Sequence, residues 1–183
     1  MNKTRNLIFS AIFAAVVCAG WVITIPVGPV PIVLQNALAI LSGMLLGPVY
    51  GGLAVLLFLF AGALGLPVFA GGSGGIAVLA GPTGGFLIGY FLGAVVAGLI
   101  SIIVMKKDCP ILISLILLSL AAVCGFLTVY VPGVPWLKVA LGLTWADAFL
   151  KGFVPFIIPG LIKAAIIVPI SFALAPVVKR YLK

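Results

Sequence analysis

Long apolar stretches recur along the chain from Leu7 to Val178, separated by short segments rich in Pro, Gly or Lys. Spanning the hydrocarbon core of a bilayer takes roughly 20 helical residues. We therefore predict an all-α integral membrane protein with six transmembrane helices in one membrane domain, residues 1–183. The predicted spans are residues 7–25, 32–46, 50–66, 85–105, 111–130 and 160–178.

Proline and glycine set the predicted boundaries between these spans. The Pro-rich break Pro26–Pro31 ends the first span, because closely spaced prolines remove backbone donors and disfavour helix in the preceding residues. The second span stops at Gly47-Pro48, and the third ends at Pro67, where a glycine-dense loop begins. We expect the segment Pro132-Gly-Val-Pro135 to close the fifth span.

Basic residues predict the orientation of the spans. With the N-terminus in the cytoplasm, most of the Lys and Arg residues lie on the inner side: Lys3, Arg5, Lys106, Lys107, Lys179, Arg180 and Lys183. Lys138 and Lys151 remain outside, and Lys163 lies in or near the last span. This distribution follows the positive-inside bias of membrane proteins. Six spans then place both termini in the cytoplasm.

The composition agrees with a lipid environment. Of the 183 residues, 65% are hydrophobic and only 7% are charged, and the mean hydropathy is +1.49. A soluble domain of this length needs a surface of polar residues, and this composition does not supply enough of them. The net charge of +8 would suit a nucleic-acid partner, but the basic residues mostly mark helix ends, so we expect none. Cys18, Cys109 and Cys124 are scattered and, with no His, predict neither disulfides nor a metal site.

The chain lacks the side chains that most enzymes use. General acid–base chemistry needs carboxylates, His or Cys in proximity. The only acids are Asp108 and Asp147, both outside the predicted spans, and there is no His. The glycine-rich loops also lack the Lys-Ser/Thr ending of an ATPase phosphate loop. We therefore predict that the chain is not an enzyme, and that any uphill transport takes its energy from a partner protein.

Lys163 is the strongest candidate for chemistry. It lies about one helical turn into the sixth predicted span. An ammonium group there is costly unless it is paired, solvated or able to reach the headgroups. Because no acid lies on any predicted span, a ligand carboxylate near the outer face would pair with it. Snorkelling of the side chain to the outer headgroups is the alternative.

A glycine-rich segment, residues 71–86, is the second candidate. Gly71-Gly-Ser-Gly-Gly75 is echoed ten residues later by Gly81-Pro-Thr-Gly-Gly85. Glycines let backbone N–H groups approach a ligand closely, and Ser73 and Thr83 add hydroxyl groups. Irregular backbone at membrane depth is tolerated only where protein or a cavity satisfies it. We predict a pocket wall, with a flexible outer loop as the alternative.

Two amides form a third candidate. Gln35 and Asn36 stand in an otherwise apolar span, just after the Pro-rich break. An amide in a membrane helix needs a hydrogen-bond partner, which is either another helix or a ligand.

In the outer connection between spans five and six, Thr144 is a suitable N-cap for a short helix through Phe149.

Small residues recur every four positions on two spans, which lets helices approach closely. The first ridge, on span four, is expected to pack internally: Gly85, Gly89, Gly93 and Ala97. The second ridge, Ala11 and Ala15 on span one, could serve an external helix. The spacing alone does not distinguish internal from external packing.

Together these motifs resemble the BioY family, the biotin-specific substrate-binding (S) components of energy-coupling-factor (ECF) vitamin transporters. The resemblance covers essentially the whole chain. It is carried by four segments, Pro29-Val-Pro-Ile-Val-Leu-Gln35, Gly65-Leu-Pro-Val-Phe-Ala-Gly-Gly-Ser-Gly-Gly75, Gly81-Pro-Thr-Gly-Gly-Phe86 and Pro155-Phe-Ile-Ile-Pro-Gly-Leu-Ile-Lys-Ala164.

The resemblance implies a six-helix protein of a prokaryotic plasma membrane that binds biotin on its extracytoplasmic side. It also implies docking onto a transmembrane coupling protein, the T component, which carries two cytoplasmic ATPases. Ala11 and Ala15 look like the Ala-x-x-x-Ala motif that meets the coupling protein. No cofactor is implied, since biotin is the ligand. An S component for another vitamin, or a structural or assembly protein without a ligand, are the alternatives.

A set of substrate-binding residues follows from the motifs and the resemblance: Gln35, Asn36, Ser73, Gly74, Thr83, Gly84, Phe86, Tyr90 and Lys163. By resemblance, Ser73 belongs to the loop that helps to hold the ligand, and Lys163 matches the basic residue of the last helix. We expect Lys163, Ser73 and Gln35 to make polar contacts with biotin. Phe86 and Tyr90 are expected to line the apolar part of a mostly apolar cavity.

The chain departs from the family pattern at two positions. Gly160 stands where members commonly carry an acid, three residues before the lysine, and Val33 replaces a threonine. Loss of the acid removes an expected partner of Lys163, for which Asp147 is a possible substitute. We also expect the outer loop Pro26–Pro31 to close over the pocket and trap the ligand.

Overall fold

The computed structural model describes residues 3–106 and 110–182. Lys107 and Lys183, which the orientation argument placed on the inner side, lie outside the described residues, as do Asp108 and Cys109. Five helices in the described part are long and apolar enough to cross a membrane. The predicted all-α membrane fold is therefore confirmed.

The elements follow one another in the order α1 (Lys3–Ala19), β1 (Thr24–Ile25), β2 (Ile32–Val33), α2 (Gln35–Ala63), α3 (Ile76–Ala80), α4 (Gly84–Lys106), α5 (Ile111–Leu141), α6 (Trp145–Gly152) and α7 (Ile157–Leu182). Single 3-10 turns occupy Gly20–Val22, Ala70–Gly72 and Val154–Phe156. The segment predicted as a glycine-dense loop thus contains a short helix, α3.

Helix α2 is folded back on itself at Gly47. The backbone of Gly47 has φ 78° and ψ 179°, which is not helical. Ser42 Oγ donates to the carbonyl oxygen of Gly51 at 3.2 Å, although residues nine apart are separated by about 13 Å in a straight helix. The chain therefore reverses between an arm of residues 35–46 and an arm of residues 48–63. These arms correspond to the predicted second and third spans.

The prediction that Pro132 and Pro135 end the fifth span was wrong. Helix α5 continues through both prolines to Leu141 and stops at Gly142, which has a left-handed φ of 62°. Each proline removes one backbone donor, and neighbouring helices in a membrane protein compensate for such losses. Here α4 packs tightly against this stretch, since a Cβ on Gly85 would lie 2.6 Å from the carbonyl oxygen of Pro132.

Two further boundaries differ because backbone pairing replaces helix near the Pro-rich break. Helix α1 ends at Ala19, not Ile25, and α2 begins at Gln35, not Ile32. Strands β1 and β2 pair antiparallel, with Thr24 opposite Val33. Their β-branched residues favour extended backbone. The last helix, α7, begins at Ile157, three residues before the predicted start. The proline in its first turn does not prevent this, because a proline at that position costs no intrahelical hydrogen bond.

Small residues allow the central helices to pack closely. A Cβ on Gly93 would lie 2.6 Å from the carbonyl oxygen of Gly125, and one on Gly89 would overlap the backbone of Val129. Ala97 is fully buried in the same ridge. The ridge on α4 therefore packs internally against α5, as predicted.

Helix α6 also forms as predicted, with the side chain of Thr144 accepting a hydrogen bond from the backbone N–H of Asp147 at 3.2 Å.

Gly43 is the position where we expect an added methyl group to destabilise the fold most clearly. A Cβ on Gly43 would overlap the backbone carbonyl of Ala94 on α4, and backbone atoms there cannot move aside. We expect Gly43→Ala to lower the stability by about 1–3 kcal/mol, the range for overpacked cores. The measurement is the thermal unfolding midpoint in detergent.

Gly160→Ala is the matched control for this prediction. A Cβ at Gly160 meets nothing within 4 Å, and alanine is the better helix former. We expect its unfolding midpoint to equal or exceed that of the unchanged protein. Equal midpoints for the two variants would show that the contact between α2 and α4 is looser than the structure indicates.

Candidate ligand-binding site

A cavity of about 200 Å³ lies at the end of the bundle that the predicted orientation places outside. Its walls come from the loop Pro26–Pro31 with β2, the start of α2, α3 with the segment before it, and the start of α4. The lining residues are Val30, Pro31, Val33, Gln35, Phe69, Ala70, Ser73, Val78, Thr83, Phe86, Leu87 and Tyr90. Most of these side chains are apolar, and a few polar groups stand among them, as in typical small-molecule sites.

Gln35 is the most informative polar residue of the cavity. It is the first residue of α2 and is 1% exposed. Its Nε2 donates to the carbonyl oxygens of Val17 at 3.2 Å and Val68 at 2.6 Å. Its Oε1 is buried and has no hydrogen-bond partner among the described residues. Such an unpaired acceptor is costly, and an N–H group of a molecule in the cavity would satisfy it.

The glycine-rich segment forms an ordered wall. Ser73 Oγ donates to the carbonyl oxygen of Ala70 at 2.8 Å, which leaves the hydroxyl oxygen able to accept from a ligand. The backbone N–H of Gly75 donates to the carbonyl oxygen of Gly62 at 2.7 Å, which ties the segment to α2. Gly71 and Gly72 have φ of 69° and 71°, a left-handed conformation that glycine adopts without strain.

Two of the predicted glycines do not line the cavity. A Cβ on Gly74 would overlap the carbonyl oxygen of Leu66, and one on Gly84 would overlap that of Leu79. These glycines therefore allow backbone segments to approach one another behind the cavity wall. Thr83, which precedes Gly84, does line the cavity.

Phe86 and Tyr90 lie one turn apart on α4 and form an aromatic wall of the cavity, as predicted. They are 4% and 7% exposed. Phe86 is held from behind by an edge-to-face contact with Tyr130 on α5, with ring centroids 6.2 Å apart. Aromatic contacts of this kind stabilise a fixed ring orientation.

Lys163 and Asn36 lie beside the cavity without lining it. Lys163 Nζ donates to the carbonyl oxygen of Val33 at 2.6 Å and to Oδ1 of Asn36 at 2.9 Å. The side chain is partly buried and turns inward from α7, so it does not snorkel. Within the described part of the chain it forms no ion pair. Asp147 instead accepts a hydrogen bond from the hydroxyl of Thr144 at 2.6 Å.

The loop Pro26–Pro31 joins β1 to β2 and contributes Val30 and Pro31 to the cavity lining. We call this loop the roof. Sequence reasoning assigned no individual binding residues here, nor at Phe69, Val78 and Leu87, which also line the cavity. These residues are apolar, and the only available signal was their position beside the Pro-rich break and the glycine repeats.

In the part of the chain that the structure describes, the side chains that could bind a metal ion do not come together. Among the described residues, no group of three or more His, Cys, Asp or Glu side chains is placed to hold one. The cavity lining offers hydrogen bonds and apolar contact to a small organic molecule.

Ala11 and Ala15 lie on α1 but are not among its buried residues, which are Asn6, Ser10, Ala14 and Val17. Both alanines are exposed in the described structure. No helix of the described chain covers this ridge. The ridge on α1 is thus available to a second helix from outside the chain.

Comparison with known proteins agrees over nearly the whole chain. The family model described as the BioY family matches residues 1–180. The biotin transporter BioY of Thermotoga maritima is 41% identical over 93% of this chain and 95% of that protein. A probable biotin transporter BioY of Pyrococcus horikoshii is 38% identical over 92% of this chain and 95% of that protein.

A solved structure is also similar. The crystal structure of the S-component for biotin from an ECF-type ABC transporter superposes with a TM-score of 0.82 at 32% identity, covering 95% of this chain and 93% of that chain. The five apolar helices and the relatives together identify a multi-pass protein of the cell membrane. On the family match and these relatives, the chain belongs to the BioY family.

Proposed function

We propose that this chain is the biotin-binding S component of an ECF-type transporter that mediates biotin uptake. The observation that carries the proposal is the buried Oε1 of Gln35, which has no hydrogen-bond partner in the described part of the chain, beside an outer cavity of about 200 Å³. Biotin has a ureido ring with two N–H donors, an apolar thiophane ring and a valeryl chain that ends in a carboxylate. A mostly apolar cavity with a few polar groups suits that distribution of groups.

The lining residues divide between the two parts of the vitamin. Gln35 Oε1 accepts from a ureido N–H, and the hydroxyl groups of Ser73 and Thr83 make further polar contacts. Phe86 and Tyr90 pack against the apolar rings and chain. The roof closes over the bound vitamin, so that biotin is captured from outside and held away from water.

Transport against a gradient takes its energy from partner proteins. The chain itself is not an enzyme, and the ATP is hydrolysed by two cytoplasmic ATPases that act through the T component. The exposed alanine ridge of α1 is the surface that meets the T component. Small residues support this role because they let two membrane helices approach closely.

Biotin should raise the thermal unfolding midpoint of the purified chain in detergent. A ligand that binds only the folded state stabilises it by about 2.7 kcal/mol at 100 times its Kd. A panel of other vitamins at the same concentration is the control. Stabilisation by a different vitamin alone would favour another S component, and stabilisation by none would favour a structural or assembly protein. Mass spectrometry of small molecules that copurify gives an independent test.

A further inference from the structure

We propose that two glycines outside the cavity lining, Gly62 on α2 and Gly133 on α5, determine the size of the ligand ring that the cavity accepts. Gly62 lies directly behind the ring of Phe69, which lines the cavity. Gly133 lies directly behind the ring of Phe86 in the same way. We call these two residues the seat glycines. The inference rests on the proposed function, because it concerns the same cavity, and it makes the seat glycines positioning residues that act through the two rings.

The ring of Phe69 fills the space that Gly62 leaves on α2. A Cβ on Gly62 would overlap Cζ of that ring and would lie 2.6 Å from its Cε2. Carbon atoms in contact are normally about 3.5–4.0 Å apart, so alanine at this position requires the ring to move by about 1 Å or more. Gly62 itself is buried and does not line the cavity.

The surroundings of Phe69 leave the cavity as the direction of that movement. The ring is 1% exposed and meets the buried ring of Phe58 edge to face, with centroids 5.4 Å apart. The backbone N–H of Phe69 donates to the carbonyl oxygen of Ser73 at 2.9 Å, and that of Gly75 donates to the carbonyl oxygen of Gly62 at 2.7 Å. These bonds fix the segment against α2. Since a protein interior is close-packed, the ring is displaced into the free space that it lines.

The ring of Phe86 is seated in the same way on α5. A Cβ on Gly133 would lie 2.5 Å from Cδ1 and 2.6 Å from Cε1 of that ring. The rings of Tyr130 and Phe156 also contact it, with centroids 6.2 and 6.5 Å away, and a Cβ on Gly152 would lie 3.4 Å from its Cζ. These neighbours do not line the cavity, so they enclose the part of the ring that faces away from it. A methyl group at Gly133 would therefore push the ring into the cavity as well.

The two displacements would narrow the cavity from two separate walls, the segment before α3 and the start of α4. The proposed ligand is bicyclic, with a ureido ring fused to a thiophane ring. Desthiobiotin has the same ureido ring and a chain that ends in a carboxylate, but it lacks the thiophane ring and is narrower. One methylene group in an apolar pocket changes binding roughly 10- to 200-fold. The seat glycines therefore leave the room that the second ring of biotin needs.

The test measures the Kd of biotin and of desthiobiotin for the purified chain with Gly62→Ala or Gly133→Ala. We expect each substitution to weaken biotin binding by roughly 10- to 200-fold and desthiobiotin binding by much less. The ratio of the two Kd values should therefore change, whereas a merely structural role would weaken both ligands by the same factor. The thermal unfolding midpoint without ligand is measured in parallel.

Gly52→Ala is the matched control, because Gly52 is a buried glycine of the same arm of α2 that also faces an aromatic ring. Its Cβ would lie 3.2 Å from the ring of Phe91 and 3.1 Å from the side chain of Val95. Neither of these side chains lines the cavity. We expect the ratio of the two Kd values to equal that of the unchanged protein.

Shortening the rings provides a second test. Leucine in place of Phe69 leaves space for a methyl group on α2, so adding Gly62→Ala to Phe69→Leu should change the Kd of biotin by no more than about 2-fold. Gly133→Ala added to Phe86→Leu is the equivalent pair. These double variants relieve the overlap, so they test the inference even if an alanine variant alone does not fold.

Three results would overturn the inference. Unchanged biotin affinity in the folded alanine variants would show that the rings do not move into the cavity. An equal loss for both ligands would show that the alanines act on the fold as a whole. A full loss on adding Gly62→Ala to Phe69→Leu would show that overlap with the ring is not the cause. If the unchanged protein bound neither ligand, the proposed function itself would fail, and this inference with it.

Discussion

Leucine at both Ala11 and Ala15 is expected to reduce biotin uptake by cells to background while biotin binding by the purified chain stays unchanged. Both alanines are exposed on α1 and have no partner helix within the described chain. Small residues let two membrane helices approach closely, and leucine side chains would force them apart. The measurement is uptake of labelled biotin by cells that express the complete transporter, with equilibrium binding measured in parallel.

Ala173→Leu is the matched control, because Ala173 is an exposed alanine on the lipid-facing α7. It should retain both uptake and binding. Normal uptake by the Ala11 and Ala15 double variant would remove this ridge from the partner surface. Loss of binding in the double variant would mean that the ridge supports the fold of the S component itself.

Gln35→Leu is expected to weaken biotin binding by about 10- to 100-fold, because it removes the acceptor that the ureido N–H would otherwise use. Leucine has a similar size and keeps the apolar packing. An analogue of biotin methylated on a ureido nitrogen provides the complementary change. In the unchanged protein the analogue should bind more weakly than biotin, and in Gln35→Leu the difference should largely disappear.

Ser101→Ala controls for the loss of a buried polar group. Ser101 is fully buried, but its hydroxyl donates to the carbonyl oxygen of Gly98 within its own helix at 3.3 Å, away from the cavity lining. Its biotin affinity should be unchanged. If Gln35→Leu kept full affinity for biotin with an unchanged unfolding midpoint, Oε1 would not face the vitamin.

The helical architecture follows from hydrophobicity to a large extent, but its boundaries do not. Gly47-Pro48 marks a real reversal, since the chain needs a positive φ there. From the sequence, Pro132 and Pro135 looked like a helix end of the same kind as Gly47-Pro48. Helix α5 nevertheless continues through both, because packing against α4 decides whether a proline ends a membrane helix. Strands of two residues each, such as β1 and β2, are too short to show any periodicity.

The site was predictable where a polar residue interrupts an apolar segment. Gln35, Ser73 and Thr83 stood out in this way, and the structure brings them to one cavity from separate elements. The pairing of Lys163 with Asn36 was not predictable, since 127 residues separate them. The sequence offered Asn36 two possible kinds of partner, and only the packing of α7 against α2 selects one.

The start of α2 has a consequence for comparing relatives of this chain. Two consecutive amides there fix the alignment of α1, α7 and the segment before α3. A substitution of Asn36, which does not line the cavity, can change how tightly a transporter retains its vitamin without touching the vitamin. Differences in retention among BioY proteins should therefore be traced to the geometry of this junction as well as to the surface of the binding chamber.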